Sequence, residues 1–243
     1  MSADGRGAAA GPRLGYVLPG PVVRDGQKVG LEARGHSGLS ELAKRWPGEL
    51  VVLAPGILDL SHHAAHGYAL SSPDELGFTI VEAPPEPDAI DALGLDLTLG
   101  LLAPHWNGIT AAVTPAVLTA EVDYGIRLGI HRATASGFRL ARAAAGLVRV
   151  EAGLRRQARR ARSLQCNDPA AWRAYGGLTT APLQFMDHRV RSDDVAMARV
   201  SSPWAGDRPL RMAFSGRLDP IKGPEYALEV AHRARRAGLP VEM

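Results

Sequence analysis

Two cations, Arg217 and Lys222, lie in a glycine-containing segment near the C-terminal end of the chain. The segment joins a strand predicted over residues 210–215 to a helix predicted from Pro224. A guanidinium group binds two phosphate oxygens with its planar fork, and an ammonium group offers a compact charge to a third. Gly216, directly after the strand, leaves room for a ligand at the backbone, and the helix N-terminus favours an anion. The segment therefore predicts a diphosphate site, although an ordinary strand-to-helix turn with two solvated cations has the same residue types.

The elements around this segment form a strand–loop–helix–strand unit. The helix has small and apolar residues on one face and ends at Gly238, which is typical of a helix C-terminus. Another strand is predicted within residues 239–243. Such a unit opens a parallel α/β domain, and we expect the sequence to contain only the beginning of that domain, residues 210–243.

The same stretch resembles a known family. Ser215-Gly-Arg-Leu-Asp-Pro-Ile-Lys-Gly223, followed by an Ala/Leu-rich helix and Ala-Gly-Leu-Pro-Val, is similar to the start of the C-terminal domain of family 4 glycosyltransferases. These are retaining enzymes of the GT-B fold, in which two Rossmann-like domains face each other. The resemblance implies that Arg217, Lys222 and Gly216 contact the diphosphate of a nucleotide-sugar donor and that no metal or other cofactor is required. The family's glutamate pair is expected beyond residue 243.

A second glycine-containing segment, Gly35-His-Ser-Gly38, precedes a predicted amphipathic helix. It resembles the glycine-rich loop of the family's N-terminal domain, and the resemblance implies that the backbone at Gly38 approaches the donor phosphate. The adjacent glycine pair usual in the family is missing here. A plain loop that leads into the helix is the alternative.

Candidate acceptor-side residues follow two predicted strands. Glu121 and Asp123 come after a strand over 115–119, where many relatives in the family carry a histidine. A carboxylate at the end of such a strand is suited to binding an acceptor or to acting as a base, so Glu121 is the candidate catalytic residue. His105 and Trp106 follow the preceding strand and could line the acceptor site, while packing of Trp106 in the core is the alternative.

Alternating strands and helices predict the fold. Apolar strands are expected at 14–18, 50–54, 78–81, 97–102, 115–119 and 164–166, a loop over Arg24–Ser37, and helices between strands. This order predicts a doubly wound, Rossmann-like parallel sheet of the α/β class. We expect a flexible tail over 1–12, an N-terminal domain over 13–188 and a linker over 189–209.

Residues 132–162 form a long predicted helix that glycines such as Gly137 weaken, so we expect a kink or break. Between Arg139 and Arg162 the sequence has eight arginines and one acid. A basic helix of this kind can lie on an anionic membrane. A solvated face in an arginine-rich chain, with 25 Arg and 3 Lys, is the alternative that composition favours. Nucleic acid is not expected as a partner, because residues 139–162 contain no aromatic side chains for base stacking.

Composition excludes several classes of protein. No apolar run is long enough to span a bilayer, and residues 1–12 have no apolar core of a signal peptide, so we expect a cytoplasmic protein, with the inner face of the cell membrane as a peripheral location. The single cysteine, Cys166, excludes an intramolecular disulfide. His62, His63 and His66 have helical spacing, but without a neighbouring glutamate or cysteine they favour a solvated surface over a metal site.

These observations predict a glycosyltransferase that moves a sugar from a nucleotide-sugar to a glycan, lipid or other acceptor, with retention. By resemblance, the chain would contain the acceptor-side domain and the first unit of the donor-side domain, and would be inactive alone. The competing class is a non-catalytic, truncated relative that binds a glycan or a membrane surface.

Overall fold

The computed structural model of the chain describes residues 11–59, 68–186, 206, 208–214 and 223–243. The chain divides into two compact units: unit 1 is Met1–Tyr124 with Gly146–Asp187, and unit 2 is Gly125–Ala145 with His188–Met243. The later boundary adjoins the one expected at residue 188, whereas 125–145 groups with unit 2. The functional division into an acceptor-side domain, a linker and a donor-side domain stays a prediction.

Helices and strands alternate along most of the described chain. In chain order they are β1 (Leu14–Val17), β2 (Val22–Asp25), β3 (Lys28–Glu32), α1 (Ala33–Arg45), β4 (Leu50–Ala54), β5 (Ile57–Asp59), β6 (Tyr68–Ser71), β7 (Thr79–Glu82), α2 (Pro87–Asp91), β8 (Leu97–Leu101), β9 (Ala116–Ala120), α3 (Tyr124–Thr134), α4 (Gly137–Arg160), β10 (Ser163–Asn167), α5 (Pro169–Tyr175), β11 (Leu183–Phe185), β12 (Leu210–Arg211), α6 (Pro224–Arg236) and β13 (Val241–Glu242).

Unit 1 is built on a seven-stranded sheet in the order β7-β4-β1-β8-β9-β10-β11. Every neighbouring pair is parallel, and Leu14 of β1 aligns with Leu50 of β4 on one side and Leu97 of β8 on the other. When only these strands are numbered in chain order, the sheet reads 3-2-1-4-5-6-7, and its first six strands have the order of the Rossmann fold. The prediction of a Rossmann-like parallel α/β sheet is therefore confirmed.

Both faces of the sheet bury apolar side chains, and β4 shows why its five residues are all hydrophobic. Val51 and Leu53 belong to one core cluster, which also holds Ile90 of α2 and Leu154 of α4. Leu50, Val52 and Ala54 belong to the other cluster, with Leu39 of α1. A strand covered on both faces has no polar side to show, so it reads as a continuous apolar run.

The prediction of a loop over Arg24–Ser37 is wrong. Residues in this range form the end of β2, all of β3 and the first turn of α1. β2 and β3 are an antiparallel hairpin in which Asp25 pairs with Lys28, and Gly26 takes a φ of 58° in the two-residue turn. They lie in a small sheet of order β5-β2-β3-β6. The hairpin forms because Val22, Val29 and Leu31 bury their side chains in the core cluster of α1, and charged residues between them hide this pattern in the sequence.

The long helix predicted over 132–162 is two helices, α3 and α4. The break falls at residues 135–136, just before Gly137, whose φ is 55°. Gly146 and Gly153 do not interrupt α4. The helix α3 starts at Tyr124, earlier than the periodicity predicts, and the strand β11 was not predicted.

In unit 2, β12 and β13 pair in parallel and α6 connects them. Helix α6 starts with Pro224 after Gly223, which has φ 69° and ψ 40°, and Gly238 follows the helix with φ 84°. The predicted order of strand, helix and strand is confirmed, although the first strand covers only Leu210–Arg211 of the predicted 210–215. The predicted loop at 216–222 lies outside the described residues. Of the helix, Ala231 is buried, whereas Leu228 and Val230 are 62% and 54% exposed.

Candidate functional site

The order of the main sheet reverses at β1, which lies between β4 and β8. In open parallel α/β sheets, ligands bind outside the carboxyl ends of the strands at such a point, because the connections leave in opposite directions there. The segments that follow β1, β8 and β9 therefore define the candidate site. They contain Gly20, His105 and Glu121, respectively.

Glu121 follows directly on β9 and is exposed. The exit of β8 is tied to this strand, because the backbone N–H of Leu102 donates to the carbonyl of Thr119 at 2.8 Å. On the same edge, Asp123 is half-buried. Of the two predicted carboxylates, Glu121 is thus the one that solvent and a ligand reach most freely.

Tyr16 of β1 is a residue of this region that sequence reasoning missed. Burial of its half-buried phenol raises its pKa above the ordinary 10.0, and the negative charge of Glu121 raises it further. The phenol of Tyr16 is therefore a neutral hydroxyl near a carboxylate at neutral pH. The sequence feature that could have indicated Tyr16 is that it is the one polar side chain in the predicted strand Leu14-Gly-Tyr-Val-Leu18.

His105 and Trp106 lie in the turn after β8 but face different surroundings. His105 is exposed. Trp106 is only 9% exposed and packs in the core cluster with Leu154 and Ile109. It therefore occupies a core position, which was the alternative to a sugar contact. Of the two residues predicted on the acceptor side, only His105 therefore has a side chain that an acceptor can reach.

The turn that carries His105 is anchored to α4 by Gln157. The Gln157 side chain is 3% exposed, and its Nε2 donates to the carbonyl of Ala103 at 3.1 Å and to Oδ1 of Asn107 at 2.7 Å. Its Oε1 has no hydrogen-bond partner among the described residues. The two donated hydrogen bonds hold the turn in place, but the unpaired buried oxygen of the same amide lowers the stability of the fold.

Gly38 lies within α1 and not in a loop, which corrects the predicted context of this residue. A Cβ at Gly38 would meet no atom within 4 Å, so packing within the chain does not require a glycine there. In the same helix His36 forms a 3.2 Å hydrogen bond between its Nε2 and Oγ of Ser71 in β6. A cavity of about 660 Å³ lies between α1 and the turn at residues 75–77, and Gly38 does not line it.

At the carboxyl end of β10, Asp168 has an unusual backbone. Its φ of 92° and ψ of 165° lie in a region that is essentially restricted to glycine. Its Oδ1 accepts hydrogen bonds from the backbone N–H groups of Ala170 at 2.6 Å and Ala171 at 2.8 Å, which caps the N-terminus of α5. Burial first, and then the charge of Asp168, raises the pKa of the Cys166 thiol.

The predicted donor-side residues Gly216, Arg217 and Lys222 lie outside the residues that the structure describes, as do His62, His63 and His66. What is described next to the donor-side segment is the start of α6. Gly223 occupies the N-cap position there without a side-chain cap, and Glu225 is in the first turn.

Two features are absent from the described ranges. None of their helices is long and apolar enough to cross a membrane. Across residues 11–59, 68–186 and the described part of unit 2, no group of three or more His, Cys, Asp or Glu side chains is arranged to hold a metal ion.

The chain matches no protein-family model, no curated protein and no solved structure. The chemistry of the site therefore has to be inferred from its own groups. The carboxylate of Glu121 accepts hydrogen bonds, the imidazole of His105 can donate and accept them, and the phenol of Tyr16 remains protonated. Such a set is suited to a ligand with several hydroxyl groups.

Proposed function

We propose that this chain belongs to a retaining GT-B glycosyltransferase of the family 4 type, which transfers a sugar from a nucleotide-sugar to a glycan, lipid or other hydroxyl acceptor. The observation that carries the proposal is the parallel β12–α6–β13 unit, in which α6 starts at Pro224, with Gly223 as its N-cap residue after the sequence segment Ser215–Lys222. A helix N-terminus preceded by a glycine, an arginine and a lysine is a favourable environment for a diphosphate.

In this proposal Arg217 and Lys222 neutralise the diphosphate as it leaves the sugar. Negative charge on the leaving group grows in the transition state, where preorganised cations stabilise it most. A glycine at position 216 has no Cβ that would hinder the phosphates. No metal is needed when two cations supply this charge.

The acceptor is assigned to the carboxyl edge of the main sheet. Glu121 would orient the attacking hydroxyl or accept its proton, and His105 would bind a neighbouring hydroxyl. Both follow strands that are adjacent in the sheet, and both are exposed. Asp123 would support the acceptor from its half-buried position.

The proposal is tested by binding and by turnover. Titration calorimetry with UDP, GDP and ADP measures diphosphate binding, and transfer by the full-length protein is assayed with a panel of nucleotide-sugars. Arg217→Ala and Lys222→Ala should each lower transfer about 10²–10³-fold, because one electrostatic group is removed from the transition state. Arg217→Lys should also be impaired, since an ammonium cannot make the two-pronged contact.

Arg236→Ala is the matched control, because Arg236 is an exposed arginine at the other end of α6. It removes the same charge and should leave binding and transfer unchanged. Near-normal transfer by both the Arg217 and Lys222 alanine variants would remove the support for the diphosphate site. Binding of a glycan by the complete gene product without turnover of any nucleotide-sugar would instead favour the competing class, a non-catalytic glycan-binding protein.

A further inference from the structure

The C-terminal part of α4 has one buried face and one basic face. Leu147, Leu154 and Ala158 are buried in unit 1. At 3.6 residues per turn, Arg149 and Arg156 lie two turns apart on the opposite side. The exposed arginines of this region are Arg149, Arg156, Arg159 and Arg160 of α4, together with Arg162, which follows the helix. We call these five residues the arginine surface.

The charges of the arginine surface are not compensated. None of its five guanidinium groups forms an ion pair or a hydrogen bond with any residue that the structure describes. Elsewhere in the described chain, Arg13 pairs with Glu49, Lys44 with Glu41 and Arg233 with Glu229. The one acid in residues 146–162, Glu151, accepts hydrogen bonds from Arg155 at 2.8 Å and from the hydroxyl of Tyr175 at 2.7 Å.

At the end of α4 the surface contains a recess. Arg160 and Arg162 line a cavity of about 210 Å³ together with Thr110, Thr114 and Val113. Asp91 accepts hydrogen bonds from the backbone of two lining residues, Val113 and Thr114, and from the Thr114 hydroxyl, and it forms no ion pair with Arg160 or Arg162. Two unpaired guanidinium groups at one recess are suited to a phosphate group.

Apolar groups accompany the cations. Val113, at the mouth of the recess, is 90% exposed, and Val148 of α4 is 59% exposed. Guanidinium groups with neighbouring exposed valines match the headgroup layer of a bilayer, where phosphates lie above hydrocarbon. A single-stranded nucleic acid would be expected to stack its bases on aromatic side chains, and residues 146–162 contain none.

We propose that the arginine surface binds an anionic phospholipid bilayer, with the recess between Arg160 and Arg162 receiving a lipid phosphate. The surface extends from Arg149 to Arg160 over about 17 Å of helix, which is enough to engage several headgroups at once. The inference does not depend on sugar transfer, because it uses no residue of the acceptor or donor site.

The test is co-sedimentation of the purified chain with vesicles of phosphatidylcholine alone and of an equal mixture of phosphatidylcholine and phosphatidylglycerol. We expect binding to the mixed vesicles, none to phosphatidylcholine, and weakening as salt screens the charges. Arg149→Gln with Arg156→Gln, and separately Arg160→Gln with Arg162→Gln, should each weaken binding about thirtyfold, the equivalent of about 1 kcal/mol for each arginine near the surface.

A double variant of the same charge change, Arg24→Gln with Lys28→Gln, is the control. Both residues are exposed on the β2–β3 hairpin, and this variant should bind as the unchanged chain does. Circular dichroism and thermal unfolding establish that all variants are folded. Equal binding to both kinds of vesicle, or equal losses in all three double variants, would overturn the proposal.

Two competitors separate the bilayer from other anions. Displacement of the chain from mixed vesicles by millimolar inorganic phosphate would overturn the proposal of bilayer binding and favour a site for a free phosphate compound. Tighter binding to a single-stranded DNA oligonucleotide than to the mixed vesicles would overturn it in favour of nucleic acid. Retention on mixed vesicles against both competitors is the result that the arginine surface predicts.

Discussion

Replacing Asp168 separates the two opposing effects that this residue has on stability. Its φ of 92° and ψ of 165° form a strained backbone for a residue with a Cβ, and it is the one non-glycine residue with positive φ in the described chain. Its Oδ1 also caps α5 through Ala170 and Ala171. Alanine removes the cap and keeps the strain, whereas glycine removes both.

The magnitudes follow from these two contributions. Losing a side-chain cap costs about 1 kcal/mol when alanine replaces aspartate, but only a few tenths when glycine does. A residue in this backbone region carries about 1–3 kcal/mol of strain, which glycine relieves. Against that, glycine costs about 0.5–1 kcal/mol because the unfolded chain gains freedom. Asp168→Gly should therefore be about 1–3 kcal/mol more stable than Asp168→Ala, and Asp168→Asn should lie close to the unchanged chain.

The assay is urea unfolding followed by tryptophan fluorescence, for which Trp172 in α5 is a nearby reporter. The free energies of unfolding are compared at equal slope. Asn167, the preceding residue, provides the control, because it lies in β10 with an ordinary backbone. There the order should invert, with glycine about 0.5–1 kcal/mol less stable than alanine. If Asp168→Gly is no more stable than Asp168→Ala, the argument from backbone strain is refuted.

Two further predictions concern titration. Glu121→Gln should lower the pKa of Tyr16 while leaving it above its ordinary 10.0, because burial is the larger cause of the shift. Absorbance of the tyrosinate measures this pKa, and Asp123→Asn is the control. An unchanged titration of Tyr16 in Glu121→Gln would contradict the electrostatic effect of Glu121. Since a raised pKa favours the protonated folded state, the unchanged chain should lose stability as pH rises above 10. The pKa of Asp91 is lowered below its ordinary 3.8, mainly by hydrogen bonds from the backbone of Val113 and Thr114. The stability that this carboxylate supplies is therefore present above pH 3.8 and is lost as pH falls through the lowered pKa. Asp91→Ala should flatten this acid dependence of the urea midpoint relative to Asp88→Ala, and equal acid slopes in the two variants would argue against the hydrogen bonds as its source.

Most strands of the main sheet, and its parallel class, could be predicted because buried parallel strands have a strong pattern. Leu50–Ala54 has no polar residue, and a run of that length between turn residues is typical of a strand covered on both faces. Helix ends were equally readable where a local rule fixes them. Asp168 with Pro169 starts α5, and Gly223 with Pro224 starts α6. These signals are local, so no knowledge of distant contacts was needed.

The β2–β3 hairpin and the electrostatic effect of Glu121 on Tyr16 could not be predicted in the same way. In the hairpin, charged residues stand next to short buried segments without a regular alternation, and its burial depends on packing in the core cluster of α1. Tyr16 and Glu121 are far apart in sequence, and the order β1-β8-β9 brings them to one edge. The sequence by itself determined the strands, the helix ends and the types of residue able to bind a ligand. The tertiary structure alone decided which of them meet, that Trp106 is buried while His105 is exposed, and that five arginines form no ion pair with any described residue. Burial and charge compensation depend on contacts between residues that are distant in the chain.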